Sequence, residues 1–291
     1  MIKVHEARSN SEGQPEFLRH FAVANSEVRA KLEVYSTTPP HRRKFWTDFD
    51  HTLTKHHSSV WRVLRHVLPE PLGTESDEER KRNIAMEKAG QLTPAASTAW
   101  TKREIQRHVE GRVSLQKMSS AIKTGMKLRP GVKELFAYCA RSDIERHILS
   151  ASIGNAIELV GLCATEIHSN WLDIGEEGTV TGWDASRMVH TWNKPEWAEK
   201  ARAEMGGGHY DDWMIILGDN LHDAAIFPHA NAIRIRVCEG YHNTYAYLDE
   251  SFHGSLEPHY DMVLRHSSLL PVIELLRYSV TSEYTRSDAG S

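Results

Sequence analysis

Lys44-Phe45-Trp46-Thr47-Asp48-Phe49-Asp50-His51-Thr52-Leu53-Thr54 sets the reading of the whole chain. Lys44 to Asp50 reads as a short aromatic strand that ends in acidic residues. Three later stretches also follow, or sit close to, apolar runs: Leu149-Ser150-Ala151-Ser152, Asn193-Lys194 and Gly218-Asp219-Asn220-Leu221-His222-Asp223. Together they offer paired carboxylates, a hydroxyl and a cation, which are the parts needed to move a phosphoryl group. Each is a weak signal alone. Their order and spacing make the signal strong.

Asp48 and Asp50 stand two apart where the strand ends. One carboxylate beside bound magnesium can attack a phosphomonoester. The other can protonate the leaving alkoxide and then activate water. Taken alone, the pair reads first as turn-capping aspartates. Asp219 follows the buried run Met214 to Leu217, and Asp223 lies one helical turn further on, so both can face one point. With Asp48 they make an acidic pocket suited to magnesium, which prefers hard oxygen ligands. Asp219 by itself reads as a helix cap. Ser150 ends the Ile148-Leu149 strand and leads into a helix start, where a hydroxyl and free amides favour phosphate. Lys194 precedes Pro195 at the first turn of a helix and can neutralise phosphate charge as a transition state forms. A lone serine there is more often an N-cap, and a lone lysine surface decoration.

The composition is that of an ordinary globular protein: 291 residues, 40% hydrophobic and 25% charged. A net charge of −4 implies no basic surface for a nucleic acid polymer. Cys139, Cys163 and Cys238 are few and widely spaced, suiting a reducing compartment and neither a disulfide framework nor a zinc site. Met1 to Glu6 lacks an apolar signal core, and no run reaches the ~18 apolar residues of a membrane span. The expectation is a cytoplasmic protein, a monomer or weak oligomer. The 18 histidines include one adjacent pair, His56-His57, and no metal-ligand spacing such as HExxH. They read as scattered solvated or capping residues.

Along the chain, Phe17 to Leu32 reads as one or two helices. Thr38-Pro39-Pro40 breaks them. From His56 to about Arg129 the pattern is helical only, with Glu75 to Arg82 a solvated charged face. From Pro130 the pattern alternates. Helices are expected at Gly131–Arg141, Asn155–Leu162, Trp197–Met205 (stopped by Gly206-Gly207-Gly208) and Leu269–Tyr278. Strands are expected at His147–Ala151, Trp213–Leu217 and Ile233–Val237, with Asp261–Leu264 as a last edge strand. Glu166–Ile174 and Thr179–Trp183 read as a β-hairpin. Ser282 to Ser291 reads as a disordered tail. The fold class is α/β: a Rossmann-like, mostly parallel sheet flanked by helices, with a helical cap inserted after the first strand. Residues 1–55 and 130–291 form the catalytic core and 56–129 the cap.

These motifs resemble the haloacid dehalogenase superfamily of phosphatases, and within it the cytosolic pyrimidine 5′-nucleotidase (cytosolic 5′-nucleotidase III) branch. Asp48 to Thr54 is similar to that branch's first motif, and Leu149 to Gly154 to its Ser-Ala-Gly-Ile-Gly loop. Ser169 to Asp173 with Gly178 to Gly182 resembles its hairpin, and His190 to Lys194 and Ile216 to Asp219 continue the likeness. It spans about residues 44 to 278. The resemblance implies Asp48 as nucleophile and metal ligand, and Asp50 as acid/base with a carbonyl on the metal. It also implies Asp219 as ligand, Asp223 as support of the metal site, and Ser150, Ala151 and Lys194 as phosphate holders. In the cap it implies that Glu87 contacts the nucleobase and that Trp100 lies in an aromatic-Thr-Lys stretch. Ser152 stands where the branch has glycine, His51 where it has an apolar residue, and Arg103 where it has a substrate-touching serine.

The expected activity is magnesium-dependent hydrolysis of nucleoside 5′-monophosphates, pyrimidine ones first, through an aspartyl-phosphate on Asp48. The alternative is a related phosphatase for a sugar phosphate or modified nucleotide. A catalytically silent binding protein on the same scaffold is disfavoured, because every catalytic position is filled.

Overall fold

A computed structural model of the protein describes residues 16–23, 27–55, 57–89, 91–204, 212–228, 231–237, 259–264 and 266–278. Met1 to Glu6, His56, Gly206-Gly207-Gly208, Cys238 and Ser282 to Ser291 lie outside them. In chain order the main elements are β1 (Phe21–Val23), α1 (Val28–Thr37), β2 (Arg43–Thr47), α2 (Val60–Arg65), α3 (Leu72–Lys88), α4 (Pro94–Glu110), α5 (Leu115–Gly125) and α6 (Val132–Arg141). Then follow β3 (Glu145–Ile153), α7 (Gly154–Leu159), β4 (Glu166–Asn170), β5 (Leu172–Ile174), β6 (Val180–Trp183), α8 (Lys194–Glu204), β7 (Trp213–Gly218), α9 (Leu221–Ala224), β8 (Asn231–Val237), β9 (Met262–Leu264) and α10 (Leu270–Arg277).

Seven strands form one sheet in the order β1-β9-β8-β7-β2-β3-β4. All neighbours are parallel except β1 with β9. The apolar run of β7 is buried throughout, as a strand covered on both faces must be. Successive side chains point to opposite faces, so β2 sends Phe45 into one layer and Trp46 into the other. Phe45 meets Phe136 of α6 edge-on at 5.8 Å. Trp46 packs with Leu149, Met214, Ile216 and Ala198 of α8. On α6, Val132, Leu135, Phe136 and Cys139 repeat at helical spacing and are all buried. The turn before α6 requires Gly131: its φ is 85°, and a Cβ there would lie 2.8 Å from the Leu270 nitrogen.

Helices α2 to α5 lie between β2 and α6, and among the described residues of that span no strand is formed. The two ends of the segment are tied together. Thr54 bridges Leu128, Lys55 donates to the Lys127 carbonyl at 2.8 Å, and Arg129 to the Leu53 carbonyl at 2.8 Å.

Four expectations change. Phe21 to Val23 is not helical: it pairs antiparallel with β9, so long-range pairing overrides local periodicity. For the same reason β9 is not an edge strand, because β1 lies outside it. The first arm of the hairpin splits. Glu166–Asn170 joins the main sheet beside β3, and only Leu172–Ile174 pairs with β6. The charged face of α3 is not wholly solvated, since Glu79 is 6% exposed and paired with Arg103 and Arg107.

Candidate active site

β2, β3 and β7 are adjacent and parallel, so their carboxyl ends open on one place, where such sheets bind ligands. Asp48 follows β2 directly, and its amide donates to the Leu217 carbonyl of β7 at 3.0 Å. Asp219 follows β7. Asp223 lies in the first turn of α9, where Asn220 caps the helix by accepting from the His222 and Asp223 amides. Carboxylate oxygens of Asp48, Asp219 and Asp223 lie within 4.8 Å of one another. Gly218 permits this: a Cβ there would lie 2.2 Å from the Asp223 Cβ.

Lys194, at the start of α8, reaches across the sheet. Its Nζ donates to Asp48 Oδ1 and to Asp223 Oδ1, each at 2.6 Å. Burial alone would discharge it, but the Asp223 and Asp48 carboxylates outweigh burial and push its pKa up. Asp223 Oδ2 accepts from the Asp219 and Asn220 amides at 3.2 and 3.3 Å. Both oxygens of Asp223 are therefore engaged in holding its neighbours. Burial, and then the Asp223 charge, raise Asp219 to about 7. Burial also raises Asp48, with Lys194 opposing it.

Asp50 is fixed from two sides. Its Oδ1 accepts from the Val60 amide at 2.8 Å, and its Oδ2 accepts from the Ser152 hydroxyl at 2.5 Å. Ser150 is 1% exposed within β3, which runs on past the expected end at Ala151 to Ile153, and its Oγ accepts from the Ser152 amide at 3.3 Å. Asn170 of β4 holds the loop by donating to the Ala151, Ser152 and Val189 carbonyls. Asp48, Asp219, Asp223 and Lys194 thus form one cluster, and Ser152 ties Asp50 to the Ser150–Ala151 stretch. The motif spacing did not single out Ser152 or Asn170 as parts of the site, nor Tyr260, whose hydroxyl donates to the Asn220 carbonyl. Ser152 carried a signal, since it departs from the branch's glycine.

The residues expected to read the base sit on α3 and α4. Glu87 is on α3, but its side chain lies outside the described residues. Trp100 is partly buried on α4, and its indole Nε1 has no hydrogen-bond partner. Arg103 donates from Nε to Glu79 Oε1 at 2.6 Å, and its side chain is half exposed. The start of α4 leans on the segment leading to Lys194, with Thr98 Oγ1 and His190 Nδ1 3.4 Å apart.

Three clustered carboxylates with Asp50 beside them, a bridging lysine and a serine at a parallel sheet are the arrangement that the resemblance to haloacid dehalogenase-type phosphatases implies. The family model described as pyrimidine 5′-nucleotidase (UMPH-1) matches residues 83–278, and the chain belongs to that family. It is a phosphomonoester hydrolase of the 5′-nucleotidase kind. Among solved structures it is similar to cytosolic 5′-nucleotidase IIIB bound to cytidine, at 20% identity and TM-score 0.69, over 89% of this chain and 92% of that one. A substrate-bound phosphoserine phosphatase aligns at 16% identity and TM-score 0.54, over 80% of this chain and 97% of that one. A phospho-aspartyl intermediate analogue of phosphoserine phosphatase aligns at 17% and 0.53, over 80% and 98%. At these identities the likenesses concern the fold. No curated protein matches the sequence. No helix among the described residues is long and apolar enough to cross a membrane.

Proposed function

We propose that the protein is a magnesium-dependent nucleotidase that hydrolyses pyrimidine nucleoside 5′-monophosphates to nucleoside and phosphate. The observation that carries this reading is Lys194 bridging Asp48 and Asp223, with Asp50 held beside them. Lys194 donates to Asp48 Oδ1, an oxygen with lone-pair capacity left for a metal ion, and Oδ2 attacks phosphorus. As the P–O ester bond breaks, Asp50 gives its proton to the leaving 5′-oxygen. Asp50 then takes a proton from water, which attacks the aspartyl-phosphate and frees phosphate and Asp48. Ser150, the amides of the Ala151 loop and Lys194 hold the phosphate oxygens.

The donor set fits magnesium. The cluster is all oxygen, and Lys194 bridges only two of the three clustered carboxylates, Asp48 and Asp223. Asp48, Asp219 and the Asp50 carbonyl would hold the ion, with Asp223 orienting them. When bound, magnesium supplies the positive charge that offsets the phosphate's. Residues 56–129 act as a cap over this pocket, and Glu87, Trp100 and Arg103 bear on the base. A cytoplasmic, monomeric or weakly associating enzyme is the simplest setting.

Phosphate release from CMP, UMP, AMP, GMP, a sugar phosphate and phosphoserine tests the reading. Preference for CMP and UMP supports it. Preference for a non-nucleotide ester replaces it with another phosphatase activity.

A further inference from the structure

A second cluster of ligating side chains lies away from the aspartates, on the sheet face that packs against α8. His147 of β3 is the register partner of Glu166 of β4, and His168 is the partner of Leu149. Glu166 and His168 are two apart on one strand, so both point to the same face as His147. His147 stands three residues before Ser150, about 10 Å back along the strand from the phosphate loop. We propose that His147, His168 and Glu166 form a second cation site, which takes a divalent transition ion of the zinc class.

The distances support this. His168 Nε2 lies 3.5 Å from His147 Nδ1 and 3.5 Å from Glu166 Oε2. A good hydrogen bond to nitrogen or oxygen spans about 2.7–3.2 Å, so neither contact is well made as one. Two donors around a tetrahedral zinc, each about 2.05 Å from it, stand about 3.4 Å apart. One potential ligand atom from each of the three residues falls within 4.8 Å of the others. Two imidazoles with one carboxylate suit a borderline metal, whereas the all-oxygen pocket at Asp48 suits magnesium.

The surroundings also suit a metal. His147 Nε2 donates to Glu145 Oε2 at 3.2 Å, which turns the Nδ1 lone pair toward His168. Glu145 is itself held by Lys44 at 3.0 Å. A carboxylate behind a ligating imidazole is the usual means of fixing its tautomer and raising its basicity. Trp46 stacks on both rings, with centroids 4.3 and 5.2 Å away, and so locks their planes. The His147 side chain is fully buried, while Glu166 is half exposed and free to adjust. Glu166 and His168 line a cavity of about 470 Å³ with Arg187, Trp197 and Glu204, which leaves room for water or an anion at the remaining position.

The test is a zinc titration of the full chain in saturating magnesium, by calorimetry, repeated with cobalt(II) and read by its visible absorption. About one zinc equivalent is expected, with cobalt bands of tetrahedral intensity. His168→Gln and Glu166→Gln should each weaken zinc binding by about 100-fold or more, since losing even a partner behind a ligand costs about 10–100-fold. The site is ruled out if zinc does not bind beside magnesium, or if the variants bind it as the wild type does. The histidines would then be a packed pair under Trp46. Should His168→Gln fail to fold, the half-exposed Glu166→Gln decides alone.

Discussion

Ser152 donates its hydroxyl to Asp50 Oδ2, although 102 residues separate them. Asp50 is buried, which raises its pKa, and the Ser152 bond is among the contacts that pull it back. The hydroxyl therefore fixes the Asp50 carboxyl, the acid/base group of the proposed mechanism, and favours its ionised form. Ser152→Ala is expected to lower kcat by about tenfold, the rate equivalent of one net hydrogen bond. It should also raise the Asp50 pKa, so the alkaline limb of kcat/KM moves to higher pH. A pH–rate profile of the variant checks both. An unmoved profile would mean that Ser152 only packs the loop.

Metal removal should abolish activity. Chelation followed by add-back of single ions is expected to restore turnover with magnesium and not with zinc or copper, because the Asp48, Asp219 and Asp223 cluster offers only hard oxygen donors. Full turnover in the chelated enzyme would contradict the assignment.

The motifs of the candidate site were legible because parallel strands deliver their carboxyl ends to one line. Once β2, β3 and β7 are recognised, Asp48, Ser150 and Asp219 must converge. What sequence spacing cannot carry is contact between distant segments. Phe21 to Val23 is too short to declare itself a strand and takes that form from β9. Glu79 sits in a charged run that reads as solvated, yet its partners Arg103 and Arg107 come 24 and 28 residues later. The hairpin's first arm broke at Trp171 because Asn170 turns its side chain into the loop carbonyls of Ala151 and Ser152.

The cap residues should separate by role. Glu87→Ala is expected to change the ratio of kcat/KM between CMP and AMP, since a lost polar partner alters discrimination. Arg103→Ser removes one of the two guanidinium partners of Glu79. Because Arg103 is half exposed, a stability loss of about 1 kcal/mol is expected, with any change in base ratio marking direct contact. Comparison of four nucleotides and melting curves distinguishes these outcomes. Equal losses on all four would show that both residues only hold the helices together.

Acid should weaken the fold through His108. Its ring is buried on α4 beside the Glu104 carbonyl, and burial lowers its pKa from 6.5 to about 4. Between those values the unfolded chain binds a proton that the folded chain does not. Stability is therefore full above pH 6.5 and falls as pH drops toward 4, by about 3 kcal/mol for this group. Denaturant unfolding at stepped pH measures the slope. A flat curve across that window would contradict it.

Asp48 as the attacking group is tested most directly by Asp48→Asn, assayed for phosphate release from CMP in saturating magnesium, with a melting curve to verify the fold. Turnover below about 1% of wild type is expected, because acid–base help alone typically supplies about 10²–10⁴-fold and cannot replace the covalent step. A folded Asp48→Asn enzyme that keeps more than that would show that phosphate leaves without an aspartyl-phosphate on this residue.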